Sequence, residues 1–187
     1  MSKKLLIQGI DQILQPLGFK RKNLIWYRTT GSFDEVVDLQ LSSGRDRFTL
    51  NVGIIDRTAY EMYFGRKLQS PALDHTWTLK IRAGDLLNGK DVWWGMRTEH
   101  FPGEFIGLLV NVAIPLLGSL QNHATLVERL ENEAVRMRGY PFPLINIAIQ
   151  RWRMGMHAEA RQMLVSLREK VSGAWCVKID EILGRLA

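Results

Sequence analysis

A chain of 187 residues, 46% hydrophobic and 24% charged, has enough apolar content to bury a proper core and too little charge for intrinsic disorder. One cysteine excludes a disulfide framework, and the longest apolar run, FIGLLVNVAIPLLGSL (105–120), is shorter than the roughly 20 residues of a membrane span. The net charge of +6 invites an acidic partner but is spread out: residues 1–94 carry 14 basic and 10 acidic side chains, and residues 95–187 carry 11 and 9.

The opening MSKKLLIQGIDQ has charges and glutamines where a signal peptide needs an apolar core, so the chain reads as cytoplasmic. Leu6, Ile10, Ile13, Leu14 and Leu17 recur at spacings of three and four, which predicts a helix ended by Pro16 and Gly18. The stretch GFKRKNLIWYR (18–28) follows. Its cations sit where the carbonyls of a helix C-terminus welcome positive charge, and its aromatics Trp26 and Tyr27 point to opposite faces of a strand. It reads as a charged helix-to-strand turn rather than a nucleic-acid grip.

The period then changes to two. Strands are expected over 24–30, 36–42 and 47–54, with SGRD (43–46) as a hairpin turn. The third strand sends Phe48, Leu50, Val52 and Ile54 inward. Residues 56–74 read as an irregular, polar flap or lid. A strand over 76–82 follows, with Trp77, Leu79 and Ile81 inward, then an edge-like strand over 91–97 that bulges at Gly95. Helices take over after Pro102, with a kink near Pro115. They continue over 125–138 and, beyond the break GYPFP (139–143), through three short helices. The fold class is therefore α+β: an N-terminal helix, an antiparallel meander of about five strands, and helices packed on the sheet. Two parts are expected, an α+β domain over 1–138 and a helical extension over 139–187, or one continuous domain.

The elements LGFKRK, WYR, LQLSS, RFTLNVGI and HTWTLKIRAGDLLNGKDVWW together resemble a family of small bacterial proteins known as a domain of unknown function. The resemblance rests on Gly18, Phe19, Lys20, Trp26, Tyr27, Gln40, Ser42, Phe48, Asn51, Gly53, Trp77, Asp91, Trp93 and Trp94, and covers about residues 5–97. Leu50 stands where the pattern has Val, and the C-terminal helices have no counterpart. The resemblance implies the fold and brings no activity, cofactor or catalytic residue.

No motif fixes a reaction. His75, His100, His123 and His157 lack paired metal-ligand spacing, and Cys176 beside Trp175 reads as a packed thiol, so neither metal nor cofactor is expected. Asp85, Asp91, Glu99 and Glu104 offer carboxylates without a catalytic pattern. The segment AIQRWRMGMHAEARQML resembles the middle of a tetratricopeptide unit, with Gly155 five residues before Ala160. Strand alternation gathers Asp38, Gln40 and Ser42, then Arg47, Thr49 and Asn51, then Thr78, Lys80 and Arg82 on the polar sheet face. The candidate binding set on it is Gln40, Ser42, Arg47, Asn51, Lys80 and Arg82, joined by Trp93, since Trp93 and its neighbour Trp94 face opposite sides. The leading expectation is a non-enzymatic domain that binds a protein through this face, in an immunity, adaptor or toxin-neutralising role. The alternatives are a nucleic-acid binder using the basic residues of the face, and an enzyme with a groove under the 56–74 loop. No membrane partner is expected.

Overall fold

The computed structural model describes residues 2–69, 77–87, 89–96 and 102–186. In chain order the elements are α1 (Lys3–Leu14), a 3-10 turn (Gln15–Leu17), β1 (Lys20–Lys22), β2 (Ile25–Thr30), β3 (Phe33–Leu41), β4 (Arg47–Asp56), α2 (Arg57–Phe64), β5 (Leu79–Arg82), α3 (Ala83–Leu87), β6 (Trp94–Gly95), α4 (Gly103–Leu108), a π-helical stretch (Leu109–Ala113), α5 (Ile114–Ser119), α6 (His123–Arg136), α7 (Pro141–Arg153), α8 (His157–Arg168) and α9 (Ala174–Arg185). The chain divides into two compact units, one of residues 1–54 and 73–118, the other of residues 55–72 and 119–187.

The first unit is an antiparallel sheet in the order β1-β2-β3-β4-β5, with β6 also paired to β4. Helix α1 forms because Leu6, Ile10 and Leu14 line one stripe, and Ser2 caps it by accepting from the Leu5 amide at 3.3 Å. It ends through Gly18, whose φ of +85° lies in the left-handed region that glycine adopts without strain. The α1 stripe packs with Trp26, Val37, Leu39, Phe48, Leu50 and Val52 on one sheet face, and Trp94, Phe105, Leu109 and Leu117 complete this core. The rings of Phe48, Trp94 and Phe105 meet one another at 5.2–5.7 Å between centroids. The expected disturbance near Pro115 is a widened π turn just before it. Proline cannot donate to the carbonyl of residue 111, and the wider turn accommodates that loss.

The second unit is helical. Ala59 and Tyr63 of α2 pack with Ile145, Ile149, Leu164, Ile179 and Ile182 in a separate core. Helix α7 starts at Pro141, inside the stretch expected as a break, because a proline in the first turn gives up an amide hydrogen that has no helical partner there. Among the described residues no single helix is long and apolar enough to cross a membrane.

Three expectations are corrected. Lys20–Lys22, read as a turn, is a short strand paired antiparallel to β2. Residues 57–64, read as part of an irregular lid, are helix α2; Asp56 starts it by accepting from the amides of Thr58 and Ala59 at 3.0 and 3.2 Å. Trp77, read as inward on a strand, precedes β5, which begins at Leu79, so strand alternation does not govern it. Residues 70–74 of the expected lid, and His75 and His100, lie outside the described residues.

Candidate functional site

On β3 the side chains of Asp38 and Gln40 alternate with the core residues Val37 and Leu39, and on β4 Thr49, Asn51 and Gly53 alternate with Leu50 and Val52. Pairing of Asn51 with Arg82 and of Gly53 with Lys80 brings β5 beside them. Pairing of Phe48 with Trp94 holds Trp94 on the core side and turns Trp93 to the other. Gln40, Asn51, Lys80, Arg82 and Trp93 thus come together on the sheet face opposite α1.

Two aromatic–cation–carboxylate groups organise this face. Lys80 Nζ lies 5.1 Å from the Trp77 ring centre and 3.9 Å from Asp38 Oδ2. Two residues along β5, the Arg82 guanidinium lies 5.1 Å from the Trp93 ring centre, and its Nε is 2.6 Å from Asp91 Oδ1. Trp93 Nε1 donates to the other Asp91 oxygen at 2.8 Å, so one carboxylate hydrogen-bonds the ring and lies in ion-pair range of the guanidinium. Asn51, only 2% exposed, links strands by donating to Asp38 Oδ2 at 3.1 Å and Gln40 Oε1 at 3.4 Å. Gly53 makes room for Trp77: a Cβ there would lie 2.6 Å from the indole Cε3 and 2.1 Å from the Leu79 carbonyl oxygen.

Ser42 and Arg47 stand apart from this arrangement. Ser42 follows the end of β3 and builds the hairpin, donating to Asp46 Oδ1 at 2.9 Å and accepting from the Arg47 amide at 3.1 Å. Arg47 is exposed at the start of β4, 4.0 Å from Asp46. Strand alternation placed Asp38 on this face, but the organising roles of Asp91 and Trp77 were missed. Asp91 is two residues before Trp93, and that spacing was the signal available.

The other suggestive residues are engaged elsewhere. Glu104 Oε2 accepts from Trp94 Nε1 at 3.3 Å. His157 stacks on Trp152 at 4.1 Å, and the Cys176 thiol donates to the Val171 carbonyl at 3.3 Å. In the second unit, fully buried Asp56 accepts from Gln150 Nε2 at 2.8 Å and from the Arg153 guanidinium, and Gln150 Oε1 accepts from His123 Nδ1 at 2.7 Å. This line of groups joins the start of α2 to α7 and α6 and serves packing of the helices. Among the described residues no three His, Cys, Asp or Glu side chains converge as a metal-holding group.

Fold and face together define an α+β domain with a half-exposed, charge-balanced sheet surface. The chain belongs to the family described as a domain of unknown function, DUF4304, whose model matches residues 10–116, more than half its length. No curated protein and no solved structure matches the chain.

Proposed function

We propose that the polar sheet face recognises another protein, with half-buried Trp93 and its Arg82 partner as the anchor. One observation carries this reading: Arg47, Lys80 and Arg82 each have a carboxylate within 4.0 Å. Phosphate binding draws on uncompensated cations, whose counterions are released on contact. Here Asp46, Asp38 and Asp91 already serve that part. An amphipathic tryptophan held rigid beside an arginine, in a field of donors and acceptors of both signs, has the composition of a protein-interface centre. Immunity, adaptor and toxin-neutralising roles are all open to such a surface, and none of them requires chemistry at it.

The test uses the full chain with a photo-crosslinking side chain at exposed Gln40, expressed in the native host. Each captured protein is then purified and titrated calorimetrically against the uncrosslinked chain. Trp93→Ala and Arg82→Ala are expected to weaken that binding at least tenfold, which corresponds to about 1.4 kcal/mol. A labelled single-stranded oligonucleotide is expected not to bind, even at roughly 50 mM salt. Salt-sensitive oligonucleotide binding lost in Lys80→Ala would overturn the reading, and so would unchanged protein affinity in both variants.

A further inference from the structure

The stretch Lys20–Lys22 is not absorbed by the sheet-face reading, and its surroundings differ in kind. Strand β1 is the terminal strand of the sheet, with β2 as its neighbour among the described strands. Between it and α1 lies a groove of about 630 Å³, lined by Lys3, Lys4, Ile7, Gln8, Asp11 and Arg21. The groove's one carboxylate is already engaged: Asp11 Oδ1 accepts from Arg21 Nε at 3.0 Å and from Trp26 Nε1 at 2.7 Å. Lys3, Lys4, Lys20 and Lys22 have no ion-pair partner among the described residues, in contrast to the balanced cations of the sheet face.

We infer that this groove takes an extended acidic peptide segment, which adds to the edge of β1 as a further strand. A terminal strand presents main-chain donors and acceptors that another backbone can satisfy. The lysines select the charge of that strand. A second copy of β1 would bring three more cations against the same edge, so self-pairing is disfavoured and an acidic partner is favoured. Ile7 supplies an apolar floor for alternate side chains. Nucleic acid suits the site less well. In the groove Trp26 is fully buried and holds its indole N–H on Asp11, and the half-buried Tyr27, paired with Lys20, alternates to the opposite face of the sheet, so neither ring offers a base a stacking surface beside Lys3 and Lys4.

The probe is a fluorescent, acetylated seven-residue peptide alternating Glu and Val, titrated into the full chain at low salt. Saturable binding is expected, with amide shifts at Lys20, Arg21 and Lys22 in a ¹⁵N spectrum. K3E/K4E is expected to weaken it about tenfold or more while the protein stays folded, because acids in the first turn of a helix are stabilising there. The same peptide N-methylated at alternate residues keeps its charge but cannot pair as a strand, and is expected not to bind. Trp93→Ala leaves this binding unchanged, which keeps it distinct from the sheet-face site. Equal binding of the N-methylated peptide, no saturation by the parent peptide, or its displacement by oligothymidylate at the same lysines would each overturn the inference.

Discussion

Asn51 donates a hydrogen bond of 3.1 Å to Asp38 Oδ2, joining two strands through a side chain that is 2% exposed. A buried amide of this kind is costly if it loses its partner, and Asp38 in turn faces Lys80. Asn51→Ala is expected to destabilise the protein by about 2 kcal/mol, since Asp38 and Gln40 lose their donor and a small cavity opens. Urea unfolding of Asn51→Ala, Asp38→Ala and the double variant reads the pair directly. The double variant is expected to cost less than the sum of the singles. Strict additivity would mean that the two side chains do not act as a unit.

Thr49, in the same phase of β4, makes the opposite prediction. It is fully buried, and its hydroxyl has no hydrogen-bond partner among the described residues. Thr49→Val keeps the shape and removes a group that lost its water on folding, so a gain of about 1 kcal/mol is expected. A raised urea midpoint at unchanged slope is the signature. A loss of stability would show that the hydroxyl is satisfied in solution.

Asp56 couples two helices of the second unit, α2 and α7, from a single carboxylate. It caps α2, accepts from Gln150, and pairs with Arg153, whose side chain is 16% exposed against 0% for its own. Asp56→Ala removes the cap and takes the buried carboxylate away from the Arg153 guanidinium, at an expected cost of about 3 kcal/mol. Asp56→Asn retains capping and is expected to cost less. Thermal unfolding of both distinguishes the two contributions, and equal losses would assign the effect to the charge alone.

Much of the first unit was legible because its signals are local. Phe48, Leu50 and Val52 alternate with Thr49 and Asn51 without interruption, and Leu6, Ile10 and Leu14 keep a helical stripe, so strand, helix and the faces they bury could be read directly. Helix α2 was missed because RTAYEMYF offers only Ala59, Tyr60 and Tyr63 as its buried residues, a weak apolar stripe whose value emerges from packing against Ile145 and Ile149. Strand β1 was missed because three consecutive cations carry no alternation; its pairing to β2 makes it a strand. The candidate face divided likewise. Gln40, Asn51, Lys80, Arg82 and Trp93 share a face by period alone. That Asp91 would meet both Arg82 and Trp93, or that Trp77 would lie over Gly53, depends on chain paths outside the regular strands, where no period applies.

Tyr63 supplies a pH-dependent test of the second core. Burial, reinforced by the neighbouring Tyr140 and Glu181, pushes its phenol from the ordinary 10.0 up to about 12. The folded state therefore holds this proton more tightly than the unfolded chain. Its contribution to stability is complete below the unfolded value of 10.0 and is lost progressively as pH rises through the folded value of about 12. Tyr63→Phe keeps the ring that meets Phe64 and Phe142 but removes the titrating group. Urea midpoints taken at about pH 9 and about pH 11 are expected to fall more steeply for the native chain than for this variant. The same fall in both would place the loss on other groups and detach Tyr63 from the alkaline limit of the fold.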